Sequence, residues 1–453
     1  ALCSSAREGA ARPPSGLWGQ LAGDHIIDIE AHEGGVTALV NGETSFSVAR
    51  WNESGSLADD FRMETPAQPG DLSGEHLAMA GGLAYVTGTA RPLDNMKLGI
   101  PLLAAGCELT ARASDSPKPS FVAALDERGS CRWAWSVDAE STTTPLGLAA
   151  TPDRVVFAFS RAGQSVTSSA SCILDDVIGA KTSADLVALD TAGACRWRRS
   201  LGPTDAVRIA EIVVDPTNME VVVVGDYEAP DEPLLVQRQP LPISQGSDLF
   251  VARFRLLDGD LQDLVPINAP GSQSVARHGA ALLPGGDVVI GGTYRGPSFD
   301  FDDDCAPLPP AADALENIFI VRASRDGLVW SRGFGDVAED QLVANVDVDT
   351  DGSIYVTGQL EGEMDLGGGM KLAAPAGQIS SFLLVLSGKG NVLSASELIG
   401  EATVGAWAVA PGPTLRDPLY LAGEIEGDFK LVPSDRPTAQ SGEGFIARLA
   451  GVP

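Results

Sequence analysis

The sequence lacks the signals that usually mark a helical, membrane-inserted or enzymatic protein. No long stretch places apolar residues three and four positions apart, and no apolar run approaches the ~20 residues that span a bilayer. There is also no nucleophile elbow, zinc-protease helix motif, phosphate-binding glycine loop or dinucleotide fingerprint. These absences argue against membrane insertion, and they lead to the prediction that the chain is not an enzyme.

Basic residues are also scarce. The chain has 31 lysines and arginines against 61 aspartates and glutamates, for a formal net charge of -30. Such a surface repels nucleic acids and anionic lipids, so neither is expected as a partner. The acidic residues are scattered along the chain, which favours solubility of a large secreted protein over dedicated cation binding.

Short apolar runs separated by turns are abundant. The chain contains 51 glycines and 30 prolines, and the runs between its turns are typical of short strands. One recurring run ends at Gly225, Gly292, Gly358 and Gly423, at intervals of 67, 66 and 65 residues. Such regular spacing indicates one structural unit that is repeated along the chain.

Each unit contains four apolar segments, which we call A to D. Segment C occurs seven times, in residues 46–51, 121–125, 186–189, 250–254, 318–322, 382–386 and 445–449. A polar turn ending in glycine follows most copies and predicts a tight hairpin between C and D. The units start near residues 25, 72, 144, 208, 275, 340 and 403. Seven units of four antiparallel strands predict an all-β fold, a seven-bladed β-propeller.

The two ends of the repeat region complement each other. Residues 17–24 are similar to a D segment without its A, B and C, and their tryptophan corresponds to Trp330, whereas the last unit ends without a D segment. We therefore predict a closing strand that completes blade 7 and removes exposed sheet edges. The residues assigned to it are Leu17, Trp18 and Leu21. The predicted domains are an N-terminal arm, residues 1–16, and a single propeller, residues 17–453.

Several segments are similar to a known repeat. Residues 317–322, 330–335 and 349–358 resemble the bacterial seven-bladed β-propeller repeat family (SBBP repeats) of extracytoplasmic proteins. The resemblance covers nearly all of residues 17–451 and implies a propeller fold and a location outside the cytoplasm, but no common activity. The chain also begins at Ala1 without an initiator methionine, as expected after removal of a signal peptide. A secreted or cell-surface protein is therefore expected.

Six cysteines in an exported chain predict disulfides. Two pairs, 24 and 23 residues apart, occupy equivalent places in blades 2 and 3, and the second member of each pair precedes the strand-D tryptophan by two positions. Free buried thiols are the alternative. The predicted disulfides are Cys107–Cys131, Cys172–Cys195 and, by elimination, Cys3–Cys305, the last either within one chain or between two chains.

One acidic stretch has the spacing of a metal site. Asp347, Asp349 and Asp351 form a D-x-D-x-D-G pattern, which can wrap Ca²⁺ with oxygen ligands. A complete EF-hand loop has an acid at its twelfth position, where this chain has Gly358. An ordinary acidic hairpin is therefore the favoured interpretation, and no cofactor is predicted other than this weakly supported Ca²⁺.

Two of the four histidines, His76 and His278, fall near segment A, which lines the central channel of a propeller. Polar residues are common in a wet channel, so an ordinary channel lining is the favoured interpretation. A deep channel pocket with convergent carboxylates around either histidine would instead favour an enzyme.

The connections between B and C hold most of the non-repeating sequence, with short alternations such as residues 364–366 that suggest extra strands. Six long loops are thus expected on one face. The sequence predicts an exported, non-enzymatic structural or interaction protein at the cell surface or in an extracellular assembly. It would bind a protein or glycan through this face and form a homo-polymer through its N-terminal arm. The alternative is a propeller enzyme (a lyase, a glycosidase or a quinoprotein-like enzyme) with a site at the central channel.

Overall fold

The computed structural model consists of strands, turns and loops throughout the part of the chain that it describes. The described residues are 16–23, 25–43, 45–64, 72–90, 100–102, 107–109, 119–139, 143–162, 165–167, 182–202, 207–296, 301, 315–336, 338–398, 404–425 and 443–451. Within these ranges there is no helix long and apolar enough to cross a lipid bilayer.

The first half of the chain forms one separate strand and blades 1 to 3. The separate strand is β1 (Gly16–Gly23), and blade 1 contains β2 (His25–His32), β3 (Gly35–Asn41), β4 (Ser45–Asn52) and β5 (Leu57–Glu64). Blade 2 contains β6 (Leu72–Ala80), β7 (Leu83–Ala90), the small hairpin β8 (Ile100–Leu102) and β9 (Cys107–Leu109), then β10 (Ser120–Leu125) and β11 (Cys131–Ala139). Blade 3 contains β12 (Thr143–Ala150), β13 (Arg154–Ala162), the short β14 (Ser165–Thr167), which pairs with β11, then β15 (Thr182–Asp190) and β16 (Cys195–Gly202).

The second half forms blades 4 to 7. Blade 4 contains β17 (Val207–Asp215), β18 (Glu220–Tyr227), the hairpin β19 (Leu234–Val236) and β20 (Gln239–Leu241), β21 (Asp248–Arg255) and β22 (Leu261–Ile267). Blade 5 contains β23 (Ser272–Leu282), β24 (Val288–Arg295), β25 (Asn317–Ser324) and β26 (Gly327–Phe334). Blade 6 contains β27 (Gln341–Val348), β28 (Ile354–Leu360), the hairpin β29 (Glu363–Gly367) and β30 (Met370–Ala373), β31 (Ser380–Leu386) and β32 (Val392–Leu398). Blade 7 contains β33 (Val404–Ala410), β34 (Leu419–Ile425) and β35 (Glu443–Leu449).

Each blade is an antiparallel sheet with its strands in the order A to D. The A strands β2, β6, β12, β17, β23, β27 and β33 begin within three residues of the predicted unit starts. The predicted seven-bladed propeller is therefore confirmed, and the extra strand expected at residues 364–366 is part of β29. The middle strands are apolar on both faces because each blade packs between two others; all eight residues of β18 are buried.

The ring is closed by β1, which pairs antiparallel with β35. Trp18 lies opposite Arg448 and Leu21 opposite Phe445, while Leu17 falls at an irregularity in the register. In blade 5 the strand-D tryptophan also lies opposite an arginine. The closing strand predicted from residues 17–24 is therefore confirmed, and blade 7 joins the two ends of the repeat region in one sheet.

The strand-D tryptophans join neighbouring blades. Trp330 is buried, and its Nε1 donates a hydrogen bond to the carbonyl of Gly388 in the next blade at 3.1 Å. Trp133 and Trp197 make equivalent bonds of 2.8 and 2.9 Å to carbonyls of their next blades. Gly390 has φ 77° in the C–D turn of blade 6, and a Cβ there would lie 3.1 Å from the Trp330 ring. The predicted inter-blade packing of these tryptophans is confirmed.

Candidate metal centre in the central channel

The A strands of six blades are interrupted at the same height in the ring. In each of them one residue is skipped in the pairing with strand B, which makes a β-bulge. The skipped residues are Ile27, Glu75, Leu146, Ala210, Ala344 and Trp407. Because a bulge redirects the side chains beside it, the same local irregularity is available six times for building a site on the ring axis.

The residues that follow these bulges form what we call the axial ring. Its members are Asp28, His76, Gly147, Glu211, Asn345 and Ala408. The four polar members line a channel cavity of about 340 Å³, which has lining residues from the A strands of all seven blades. Polar groups that belong to separate, mainly apolar strands are therefore brought together at one level of the channel.

Blade 5 departs from this pattern by a wider bulge. Residues 276–279 lie opposite the single residue Gly291, because Val275 pairs with Gly292 and Ala280 pairs with Ile290. His278 lies within this bulge at φ 57°, in the left-handed region that side chains other than glycine rarely adopt. This strained segment crosses toward the opposite blades and carries a second imidazole to the axial ring.

Asp28, His76 and His278 form the centre of the site. One ligand atom from each residue can be chosen so that all three lie within 4.8 Å of one another. The imidazole rings of the two histidines meet edge to face with centroids 4.8 Å apart. Ligands at ~2.0–2.2 Å from a zinc ion are about 3–4 Å apart, so small side-chain rotations would let these three residues share one ion.

Within the described part of the chain, one buried nitrogen of each histidine has no hydrogen-bond partner. His278 Nδ1 donates to Glu211 Oε2 at 3.2 Å, which leaves Nε2 as the nitrogen available to a metal ion. Among the residues that the structure describes, neither His278 Nε2 nor His76 Nε2 has a hydrogen-bond partner, although both atoms are buried and only 2% of His76 is exposed. Asp28 accepts hydrogen bonds from the backbone N–H groups of Ile29 and Leu77, at 2.9 and 2.8 Å, which hold its carboxylate in place.

The charge of the site depends on burial and on the close pairing of acids and imidazoles. Burial, together with the neighbouring His278 and Arg277, holds the pKa of His76 well below 6.5, so this imidazole is neutral. Burial alone would lower the pKa of His278, but the carboxylates of Asp28 and Glu211 outweigh it and raise that pKa. Burial raises the pKa of Asp28, partly offset by His278.

Two further acids lie next to the axial ring, on the side away from the bulges. Glu30 and Asp347 line the same channel cavity, each two residues beyond an axial position. Burial and the repulsion of Asp28 and Asp347 raise the pKa of Glu30 well above 4.5. Burial, only partly offset by a backbone hydrogen bond from Val348, raises the pKa of Asp347 to about 7. The cavity therefore concentrates acids that hold their protons more readily than exposed acids do, and a bound cation would favour their ionised forms.

The proposed calcium loop is divided between two environments. Asp347 lines the channel cavity, whereas Asp349 accepts hydrogen bonds from the N–H groups of Asp351 and Ser353 within the A–B turn and from the Tyr355 hydroxyl. Among the described residues the only potential metal-binding group of three or more His, Cys, Asp or Glu is the one at Asp28. The structure thus does not bring the three aspartates together, and Ca²⁺ binding by them stays a prediction without geometric support.

The predicted disulfides fall mostly outside the described residues. Cys131 and Cys195 begin β11 and β16 at equivalent positions, and neither is a free thiol. The side chains of the four other cysteines are not among those described, as the residues concerned are Cys3, Cys107, Cys172 and Cys305. All three pairings remain predictions.

Sequence reasoning noted both histidines of this site and missed its carboxylates. Asp28 and Glu211 are isolated acids within apolar strands, and nothing in their spacing connects residues 183 positions apart. The strand pairing places Asp28, His76, Glu211 and Asn345 at equivalent positions, but the sequence does not reveal this, because His76, Glu211 and Asn345 lie 12, 14 and 13 residues before the glycine of segment B. In blade 5 the wider bulge adds a further irregularity, because His278 lies among residues that have no pairing partner in strand B.

Comparison with known proteins shows similarity of fold and assigns the chain to no family. No protein-family model matches it, so membership of the SBBP family is not shown, and no curated protein is significantly similar. Among solved structures, the acylaminoacyl peptidase of Pyrococcus horikoshii is 11% identical with a TM-score of 0.45, covering 92% of this chain and 52% of the peptidase. Prolyl oligopeptidase B from Galerina marginata is 9% identical (TM-score 0.44, coverage 96% and 52%). The Synechocystis apocarotenoid oxygenase is 10% identical (TM-score 0.41, coverage 84% and 73%).

These matches correct one prediction. The chain spans about half the length of the two peptidases it matches. Identities near 10% show a shared fold and carry no argument about the reaction, but the matched proteins are peptidases and an oxygenase. The prediction that the chain is not an enzyme is wrong in its reasoning: it rested on missing motifs, and the proteins that match this fold include enzymes.

Proposed function

We propose that this propeller is a metal-dependent enzyme whose centre lies on the ring axis. One observation carries the proposal: Asp28, His76 and His278, from three different blades, converge with their ligand atoms within 4.8 Å of one another. Two imidazoles and one carboxylate are a ligand set that suits Zn²⁺ and Fe²⁺. The ligand would be a divalent transition-metal ion.

The unpartnered nitrogens support coordination over a purely structural role. A buried polar atom left without a hydrogen bond costs about 1–3 kcal/mol, and this site has two such imidazole nitrogens. Coordination would satisfy both. Glu211 supports this arrangement, since its hydrogen bond to His278 Nδ1 would fix the ring and leave Nε2 as the coordinating nitrogen.

Three protein ligands also favour a catalytic centre over a structural one. Structural zinc sites are usually closed by four protein ligands, whereas catalytic sites keep one position open for water or substrate. His278 lines two cavities, the channel cavity and a second one of about 330 Å³, so small molecules could reach the site. A bound ion would supply Lewis-acid activation of an oxygen atom, and Glu30 and Asp347 stand in the same cavity as proton-exchanging groups.

Export and external partners are part of the same proposal. The even number of cysteines and the resemblance to SBBP repeats support a protein that works outside the cytoplasm, where disulfides persist. The long B–C connections support contact with a protein or glycan at the envelope, and the N-terminal arm with Cys3 supports a homo-polymer. Fractionation of the native cells, followed by non-reducing electrophoresis of each fraction, tests location and assembly together.

The metal centre is tested by titrating EDTA-treated protein with Zn²⁺ in a calorimeter and with Co²⁺ in a spectrophotometer. One ion per chain is expected. His76→Ala and His278→Ala should each weaken binding by about 10- to 100-fold or more, because each removes a ligand. His32→Ala is the matched control, since this exposed histidine lies at the far end of the same inner strand as Asp28.

An open coordination position is tested on the Co²⁺-loaded protein with acetohydroxamate, which binds metals through two oxygens. A change in the visible spectrum that is absent from His76→Ala is expected. Failure of the wild type to bind Zn²⁺ or Co²⁺ would refute the metal centre. A Co²⁺ spectrum that does not respond to acetohydroxamate would show a closed, structural site and refute the catalytic role.

A further inference from the structure

A second cavity adjoins the metal centre and differs from the channel cavity in polarity. Its volume is about 330 Å³, and we call it the mouth cavity. It is lined mainly by apolar side chains of blades 1, 6 and 7, including Ile26, Ile27, Leu342 and Trp407. His278 lines both cavities, so a molecule in the mouth cavity lies directly beside one of the three proposed ligands.

The bulges of the A strands build this apolar wall. Ile27, Ala344 and Trp407 are the skipped residues of blades 1, 6 and 7, and all three line the mouth cavity. Gly405 makes room for the tryptophan, because a Cβ at that position would lie 2.4 Å from the Trp407 ring. The same irregularity that directs the axial ring toward the metal centre thus places large apolar groups just outside it.

Charged residues make one side of the mouth cavity polar. Arg277 from the wide bulge of blade 5 lines the cavity and forms an ion pair with Glu75, the skipped residue of blade 2. Glu424, which is paired with His25, lies near the end of β34 in blade 7. An occupant therefore meets apolar side chains on one side and fixed charges on the other, which orients it.

The exposure of this wall points to a ligand. Leu342 is 37% exposed, although it is a large apolar residue inside a concave cavity, and Trp407 is partly exposed. A cavity of about 150 Å³ lined by apolar groups can hold benzene, so the mouth cavity has room for a ring with a short chain. Covering such a surface removes apolar area from water, and this favours binding of an apolar body.

We infer that the mouth cavity binds the apolar ring of a small-molecule substrate, whose oxygen-bearing group reaches the ion between Asp28, His76 and His278. This inference rests on the proposed metal centre and adds the class of substrate. Ring and oxygen group belong to one molecule because His278 lies on the boundary between cavity and centre. The ring packs against Trp407 and Leu342, as aromatic groups prefer in an offset or edge-to-face arrangement.

The test compares two probes on the Co²⁺-loaded protein. Acetohydroxamate and benzohydroxamate carry the same metal-binding group, and only the second carries a ring. Benzohydroxamate should bind on the order of 10- to 100-fold more tightly, because the phenyl ring leaves water for the cavity. In Trp407→Ala this preference should fall to a few-fold. Leu257→Ala, which removes a 67% exposed leucine of blade 4 outside the mouth cavity, should keep the full preference.

A second arm does not depend on the metal. Binding of 4-fluorotoluene to EDTA-treated protein is followed by ¹⁹F line broadening, which should be seen in the wild type and in Leu257→Ala but not in Trp407→Ala. Thermal melts of each variant confirm that it is folded. Together with the Co²⁺ titration, the two arms separate failure of the cavity from failure of the metal centre.

Each outcome bears on the inference. Equal affinity for the two hydroxamates, in protein that binds Co²⁺, would overturn the ring site and leave the metal centre standing. Broadening of 4-fluorotoluene without Co²⁺ binding would overturn both the metal centre and the joint substrate. Absence of broadening in the wild type, or equal broadening in Trp407→Ala, would overturn the assignment of the ring to the mouth cavity.

Discussion

Asp347→Asn should stabilise the metal-free protein at neutral and alkaline pH. This carboxyl group lines the channel cavity among other acids, and its pKa is raised from 3.8 to about 7, chiefly by burial. A raised pKa means that the folded protein favours the protonated acid. The wild type therefore loses stability as the pH rises from about 4 to about 7, and the amide, which carries no charge at any pH, avoids that loss.

The size of the effect follows from the same pKa. A change from 3.8 to about 7 corresponds to about 4 kcal/mol at 1.36 kcal/mol per pH unit. Asp347 is only partly buried, so solvent screening reduces this value, and we expect about 1–2 kcal/mol above pH 7. For a chain of this length the entropy of unfolding is large, and the midpoint should rise by only about 1–2 °C.

Calorimetric unfolding between pH 4.5 and 8.5 in EDTA measures this difference. Asp349→Asn is the matched control, because it makes the same substitution two residues further on, in a carboxylate that accepts three hydrogen bonds in and beside the turn. It should destabilise the protein by about 1 kcal/mol. A stabilisation by Asp347→Asn that is equal at pH 4.5 and 8.5, or a destabilisation at pH 8.5, would refute the reasoning.

Three other predictions concern the ring. Trp330→Ala should lower the free energy of unfolding by about 3–5 kcal/mol because it leaves a cavity between two blades. Trp330→Phe should lower it by less. An effect of Trp330→Ala below about 1 kcal/mol in denaturant titrations would contradict the packing role. Deleting residues 1–24 should lower the melting midpoint by several degrees because it exposes the edge of blade 7. Deleting residues 1–15 spares β1 and should leave the midpoint unchanged. Equal melting midpoints of the two truncated proteins would argue against ring closure by β1. Non-reducing electrophoresis should show the Cys3–Cys305 bond as a compact monomer or a covalent multimer, and Cys305→Ser should abolish whichever is seen; unchanged migration would remove that pairing.

The fold could be predicted from the sequence because its determinants are local and repeated. The spacing of Gly225, Gly292, Gly358 and Gly423 reports the length of the unit, and each of these glycines lies at the same place in a B strand. In three of these blades a Cβ there would lie 2.6–3.0 Å from a strand-C phenylalanine ring. Packing in these blades therefore imposes the same requirement, and the sequence repeats it.

The centre could be predicted only in part, because its determinants are not repeated. His76 and His278 were noted as rare residues near strand A, but Asp28 and Glu211 resemble many solvated acids in a chain that has 61 of them. Their convergence depends on where each bulge falls, and a bulge leaves little trace in the hydrophobic pattern. The positive φ of His278 is a property of one conformation and cannot be inferred from the residue type, which elsewhere avoids it.

The bulges also separate the residues that stabilise the ring from the residues that can carry chemistry in the channel. The hydrogen-bonded pairs beside each bulge and the apolar layers between blades hold the ring, whereas Asp28, His76, Glu211 and Asn345, which follow four of the bulges, line the channel cavity. The residue type at the axial position therefore differs from blade to blade. It is an acid, an amide or an imidazole in four blades, and it is Gly147 or Ala408 in two others. New chemistry can be introduced into such a channel one blade at a time, with the architecture left unchanged.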